Sequence, residues 1–124
     1  MKSISISLLA LLLLALSPLA SAAETAVSEM ATIVMELNHY PTVKEKKVLS
    51  HIIADEHATA FEKILAGALM RMQHSIGGKD ANRLRNLSAD EGASKQEREL
   101  ADILLGISHK PSGSDMKRLK LLVE

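Results

Sequence analysis

Residues 54–69 read Ala54-Asp55-Glu56-His57-Ala58-Thr59-Ala60-Phe61-Glu62-Lys63-Ile64-Leu65-Ala66-Gly67-Ala68-Leu69, and 35 residues later the chain repeats them as Ala89-Asp90-Glu91-Gly92-Ala93-Ser94-Lys95-Gln96-Glu97-Arg98-Glu99-Leu100-Ala101-Asp102-Ile103-Leu104. The period runs beyond this block. Asn38-His39 returns as Gln73-His74 and Ser108-His109, and Leu49 returns as Leu84 and Leu119. A fixed period of this length with helical patterning inside it denotes helical hairpins, each too small to bury its own apolar face and each dependent on its neighbours. The reading is an all-α chain of about six short antiparallel helices in 35-residue hairpin repeats, as a small α-solenoid or bundle.

Punctuation within the repeat sets the helix limits. A Ser, Thr or Asp followed three residues later by an acid satisfies free N–H groups at a helix start. Thr42 with Glu45, Thr59 with Glu62, Ser94 with Glu97 and Ser112 with Asp115 all have this form, and the middle copy places Gly77-Gly78 before Asp80. Pro41, Pro111 and the glycine pair mark the interruptions between helices. Helices are predicted over 24–38, 43–54, 60–73, 78–89, 95–107 and 114–123. The longer ones carry aligned core stripes: Met30, Ile33, Val34 and Leu37; Leu65, Ala68, Leu69 and Met72; Leu100, Ile103, Leu104 and Ile107. Ala66 and Ala101 leave room for close helix approach, while Met35 and Leu121 give the end helices an apolar edge suited to a partner or to self-association.

Residues 1–22 read as a signal peptide. Lys2 supplies the positive start, Leu8 to Leu16 an apolar run, Pro18 a break and Ala20-Ser21-Ala22 a small-x-small cleavage site. The run is shorter than the roughly 20 residues of a membrane span. The expectation is an exported chain, periplasmic or secreted, with residues 23–124 forming one helical-repeat domain and no membrane span in the mature protein. The 124 residues hold 15 Lys plus Arg, 15 Asp plus Glu and no Cys. Loss of the leader with Lys2 leaves one more acid than base, so there is no basic field for nucleic acid. Absence of cysteine excludes disulfides and thiolate metal sites. With one Tyr and one Phe, base-stacking platforms are excluded too.

His39, His74 and His109 occupy one repeat position, at the end of the longer helix. In a regular solenoid equivalent positions lie about 8–10 Å apart, too far for three ligands about 2.0–2.1 Å from one zinc ion. The expected role is therefore capping of helix C-termini, the alternative being a ligand-facing or pH-responsive edge. His51 and His57 have no counterparts one period on. Met70-Arg71-Met72-Gln73-His74 contains copper-type ligands, but both methionines align with apolar positions in the other repeats and read as packing.

The acidic turns carry the other candidates. Asp55 with Glu62, and Asp90 with Glu97, have the same spacing across a turn entering a helix. Two readings stand: acids in the first helical turn as caps, or carboxylates holding a hard divalent cation. The Ala-Asp-x-x-Ala-Thr/Ser-x-x-Glu form of these two nine-residue stretches resembles the turns of TerB-like tellurite-resistance helical domains, with Glu56 and Glu91 replacing the family's glycine. That resemblance implies divalent-metal binding at Asp55, Glu62, Asp90 and Glu97, and a role in stress or metal resistance. The residues themselves show no phosphate loop, nucleophile elbow or His-Glu-x-x-His pattern, so no enzyme is expected. The expected function is an exported, non-catalytic module binding another protein, the basic amphipathic segment 117–122 contributing a surface; the alternative is divalent-metal binding or sensing at the acidic turns.

Overall fold

A computed structural model describes residues 25–124; the predicted signal peptide lies outside the described residues. Six α-helices follow in order: α1 (Ala26–Met35), α2 (Val43–Ala54), α3 (Ala60–Met70), α4 (Gly78–Ser88), α5 (Lys95–Gly106) and α6 (Gly113–Val123). All six predicted helices form, each end within three residues of its predicted limit; α1 and α3 stop three residues short where the chain turns toward the histidines. Thr42, Thr59 and Ser94 each accept from the backbone N–H three residues on, and Glu45, Glu62 and Glu97 bond back to complete capping boxes. Ser112 caps α6 and Thr25 caps α1 through their hydroxyls, whereas Gly77 opens α4 with no side-chain cap.

The odd-numbered helices are the inner ones. α1, α3 and α5 pack on one another, and each is flanked by an outer helix: α2 on α3, α4 on α5, and α6 on α1. The last of these pairings joins the two ends of the described chain, so the repeats close into a ring about a pseudo-threefold axis instead of stacking as an open solenoid. Closure removes the two free ends that the sequence suggested would seek a partner. Met35 packs against the core, whereas Leu121 is 72% exposed.

Three repeat copies of each core position explain the closure. Met30, Leu65 and Leu100 are fully buried, as are Val34, Leu69 and Leu104 one helical turn later. Ala31, Ala66 and Ala101, also fully buried, put a small side chain on each inner helix so that three backbones fit around the axis. Leu49, Leu84 and Leu119 insert from the outer helices. Each of these burials contributes about 1.5–3 kcal/mol for the larger aliphatic side chains.

Candidate metal centre

The inner helices end at one pole of the ring. After each helix, one core residue remains buried, Leu37, Met72 or Ile107, and two residues later comes His39, His74 or His109. All three histidines have positive φ, 74°, 70° and 70°, and they are the only non-glycine residues among those described that do. The Ser75 N–H bonds to the Gln73 carbonyl and the Lys110 N–H to the Ser108 carbonyl, both at 2.8 Å, closing tight three-residue turns around His74 and His109. Such γ-turns of positive φ are rare and strained. Glycine would adopt this backbone without penalty, whereas each histidine in it costs about 1–3 kcal/mol. Every repeat nevertheless holds histidine there.

The backbones of the three turns form a closed ring of their own. The His39 N–H donates to the His109 carbonyl at 2.7 Å, His74 to His39 at 2.9 Å and His109 to His74 at 2.6 Å. This cycle fixes the side chains toward the axis. Their Nδ1 atoms stand 2.8 Å (His39 and His109), 3.1 Å (His74 and His109) and 3.3 Å (His39 and His74) apart. The rings meet edge to face, with centroids 4.8–5.1 Å apart. His39 is half-buried; His74 and His109 are exposed.

This overturns two expectations. Spacing in a regular solenoid separates equivalent residues, but rotation about a closed axis brings equivalent points together wherever they lie near that axis, whatever the distance between helices. The histidines also do not cap helix carbonyls through their rings: their Nδ1 contacts are with one another. An imidazole Nδ1 offers one in-plane direction, either a lone pair or an N–H. Three such groups aimed at one point cannot all be satisfied by pairwise hydrogen bonds, but a single cation at that point accepts all three lone pairs.

The dimensions suit a first-row transition ion. Metal–nitrogen bonds of about 2.0–2.1 Å would reach a common ion from nitrogens at these separations, so His39, His74 and His109 would hold it as three neutral imidazole ligands.

The acids singled out in the sequence lie at the opposite pole, where outer helices turn into inner ones. Asp55 Oδ1 accepts the His57 N–H and Asp90 Oδ1 the Gly92 N–H, both at 2.8 Å. Glu62 Oε1 accepts the Thr59 N–H and Glu97 Oε1 the Ser94 N–H, again at 2.8 Å. Glu97, 5% exposed, takes a further bond of 2.6 Å from the Thr59 hydroxyl to Oε2. Each acid thus has a capping or turn partner. Among the described residues, the three histidines are the one group of three or more His or acid side chains gathered within reach of a common ion. Met72 is buried and Met70 packs on the core, as their repeat counterparts predict, and His51 and His57 stand apart from the cluster.

Near the histidine pole, Arg71 grips Asp80 through Nε at 2.9 Å and Nη2 at 2.8 Å. Hydrogen bonding from Arg71 holds the Asp80 carboxyl below its ordinary range, and the same contact raises the Arg71 guanidinium. This pair anchors the end of α3 to the start of α4, the two elements between which His74 is carried. A groove of about 420 Å³ lined by Tyr40, Lys46, Arg71, Gln73 and His74 opens beside it. No helix among the described residues is long and apolar enough to cross a membrane. Comparison of the chain with protein-family models, curated proteins and solved structures finds no match.

Proposed function

We propose that this protein binds one transition-metal ion through Nδ1 of His39, His74 and His109. The observation that carries the reading is the convergence of three Nδ1 atoms within 2.8–3.3 Å, each supplied by a different repeat on a strained turn. Imidazole nitrogens select zinc, copper, nickel or cobalt over calcium and magnesium, which take oxygen ligands. The softness of the ion, and not its charge, is then matched to the site by ligand type, in contrast to the hard-cation site suggested for the acidic turns. Exposure of two of the three ligands favours exchange with solvent over permanent burial. Together with the leader read in residues 1–22, this supports an extracytoplasmic protein that holds and releases such an ion. Protein docking has no comparable observation behind it; the exposed large apolar side chains are Tyr40, Val43, Ile53, Leu121 and Val123.

Isothermal titration of the metal-free mature chain with zinc, copper, nickel and magnesium tests this directly. One equivalent of zinc, copper or nickel binds and magnesium does not. Replacing His39, His74 or His109 singly with Ala weakens binding by comparable factors, because the axis makes the three ligands equivalent. Stoichiometric zinc binding that persists in the His39→Ala/His74→Ala/His109→Ala protein places the ion elsewhere and ends the proposal.

A further inference from the structure

The histidine site supplies three ligands and then stops. Structural zinc sites are closed by four protein ligands, whereas a three-ligand site completes its shell with water or another exogenous group. Here no fourth His or acid joins the cluster among the described residues. The residues preceding each histidine on the core side, Leu37, Met72 and Ile107, offer no oxygen or nitrogen donor on their buried side chains. The completing group must come from the solvent side, where His74 and His109 are exposed.

Charge then selects its class. Three neutral imidazoles leave the ion's full double positive charge uncompensated. The start of α2 adds Lys44, Lys46 and, in its second turn, Lys47, the first turn of α4 adds Lys79, and Lys110 follows His109 directly. All five are exposed and none takes part in an ion pair among the described residues. The acids Asp55, Glu56, Asp90 and Glu91 sit at the far ends of the helices, in the opposite turns. The histidine pole also holds Glu36, Glu45, Asp80 and Asp115. Of these, Asp80 is paired with Arg71 and Asp115 lies against Arg118, so the five lysines leave an excess of positive charge at that pole. Lys46 lines the same groove as His74.

Resting on the metal reading, we infer that the bound ion takes a small oxyanion as its exogenous ligand, one carboxylate or phosphate oxygen on the metal and the remaining charge against Lys46. The protein is then a receptor for a metal–oxyanion pair rather than for the bare ion. No bond is made or broken in the anion; water leaves the ion as the oxygen arrives.

The cobalt(II)-loaded chain, whose visible bands report coordination, tests this with acetate as the probe and acetamide as its uncharged counterpart. Acetate shifts the bands saturably and at least about tenfold more tightly than acetamide, a difference of one decade in dissociation constant. Lys46→Gln weakens acetate by about three- to fivefold, the worth of one exposed charge pair, and does not weaken cobalt binding in acetate-free buffer. Cobalt bands that form but do not move with acetate overturn the oxyanion reading alone, as does a Lys46→Gln protein that binds acetate as tightly as the parent. Absence of cobalt bands overturns the metal site and this inference together.

Discussion

Zinc should stabilise this fold strongly, and loss of one ligand should abolish the effect without harming the metal-free protein. The three ligands are separated by 35 and 70 residues along the chain, so only the folded ring presents them together. A ligand bound solely by the folded state stabilises it by about 2.7 kcal/mol at a hundredfold excess over its dissociation constant. For a domain the size of residues 25–124, each kcal/mol moves Tm by about 4–8 °C, which gives a rise of about 11–22 °C at that hundredfold excess of zinc. Without zinc the backbone at His74, φ 70°, is a liability. His74→Gly relieves it and keeps or raises the metal-free stability, by about 0–2.5 kcal/mol once the added freedom of the unfolded chain is deducted. His74→Ala retains the positive φ and gains nothing. Both variants should lose most of the zinc-induced rise. Differential scanning calorimetry of the parent and the two variants, with zinc and with chelator, checks all of this. A zinc increment that survives in His74→Gly, or a metal-free His74→Gly that melts well below the parent, refutes the view that these histidines trade stability for a metal site.

Three further outcomes are expected. Asp80 is held in its charged form by Arg71, so its folded pKa lies below the unfolded value of about 3.9. Its contribution is therefore complete above that value and lost as pH falls through the folded pKa; urea midpoints measured from pH 5 downward should decline less steeply in Asp80→Asn. Thr59 both caps α3 and donates to buried Glu97, so Thr59→Ala should cost more than the roughly 1 kcal/mol of an ordinary cap and more than Ser94→Ala in the same urea assay. Asp55→Asn/Asp90→Asn should leave zinc affinity within error in calorimetry, since both carboxylates serve turns at the pole away from the histidines.

The sequence by itself determined the local structure. Hydrophobic spacing, Ser and Thr caps with their matched acids, and proline or glycine interruptions act over a few residues. They accordingly located all six helices and the buried positions of the three inner-helix stripes, Met72 included; on the outer helices the same apolar spacing takes in Ile53 and Val123, which are exposed. The period also showed that His39, His74 and His109 are equivalent. What they do as a set was decided only by tertiary structure, because a repeat specifies how one unit meets the next without stating whether the rotation closes. The packing of α6 on α1 settles that, and with it the distances: equivalent side chains far from the axis remain apart, whereas those on it converge. The acids at 55, 62, 90 and 97 have the more conspicuous spacing, yet that spacing is spent within single turns and capping boxes. One available signal pointed to the other site: a histidine three times over in the short linker between helices, where the backbone needs the left-handed conformation that glycine adopts freely.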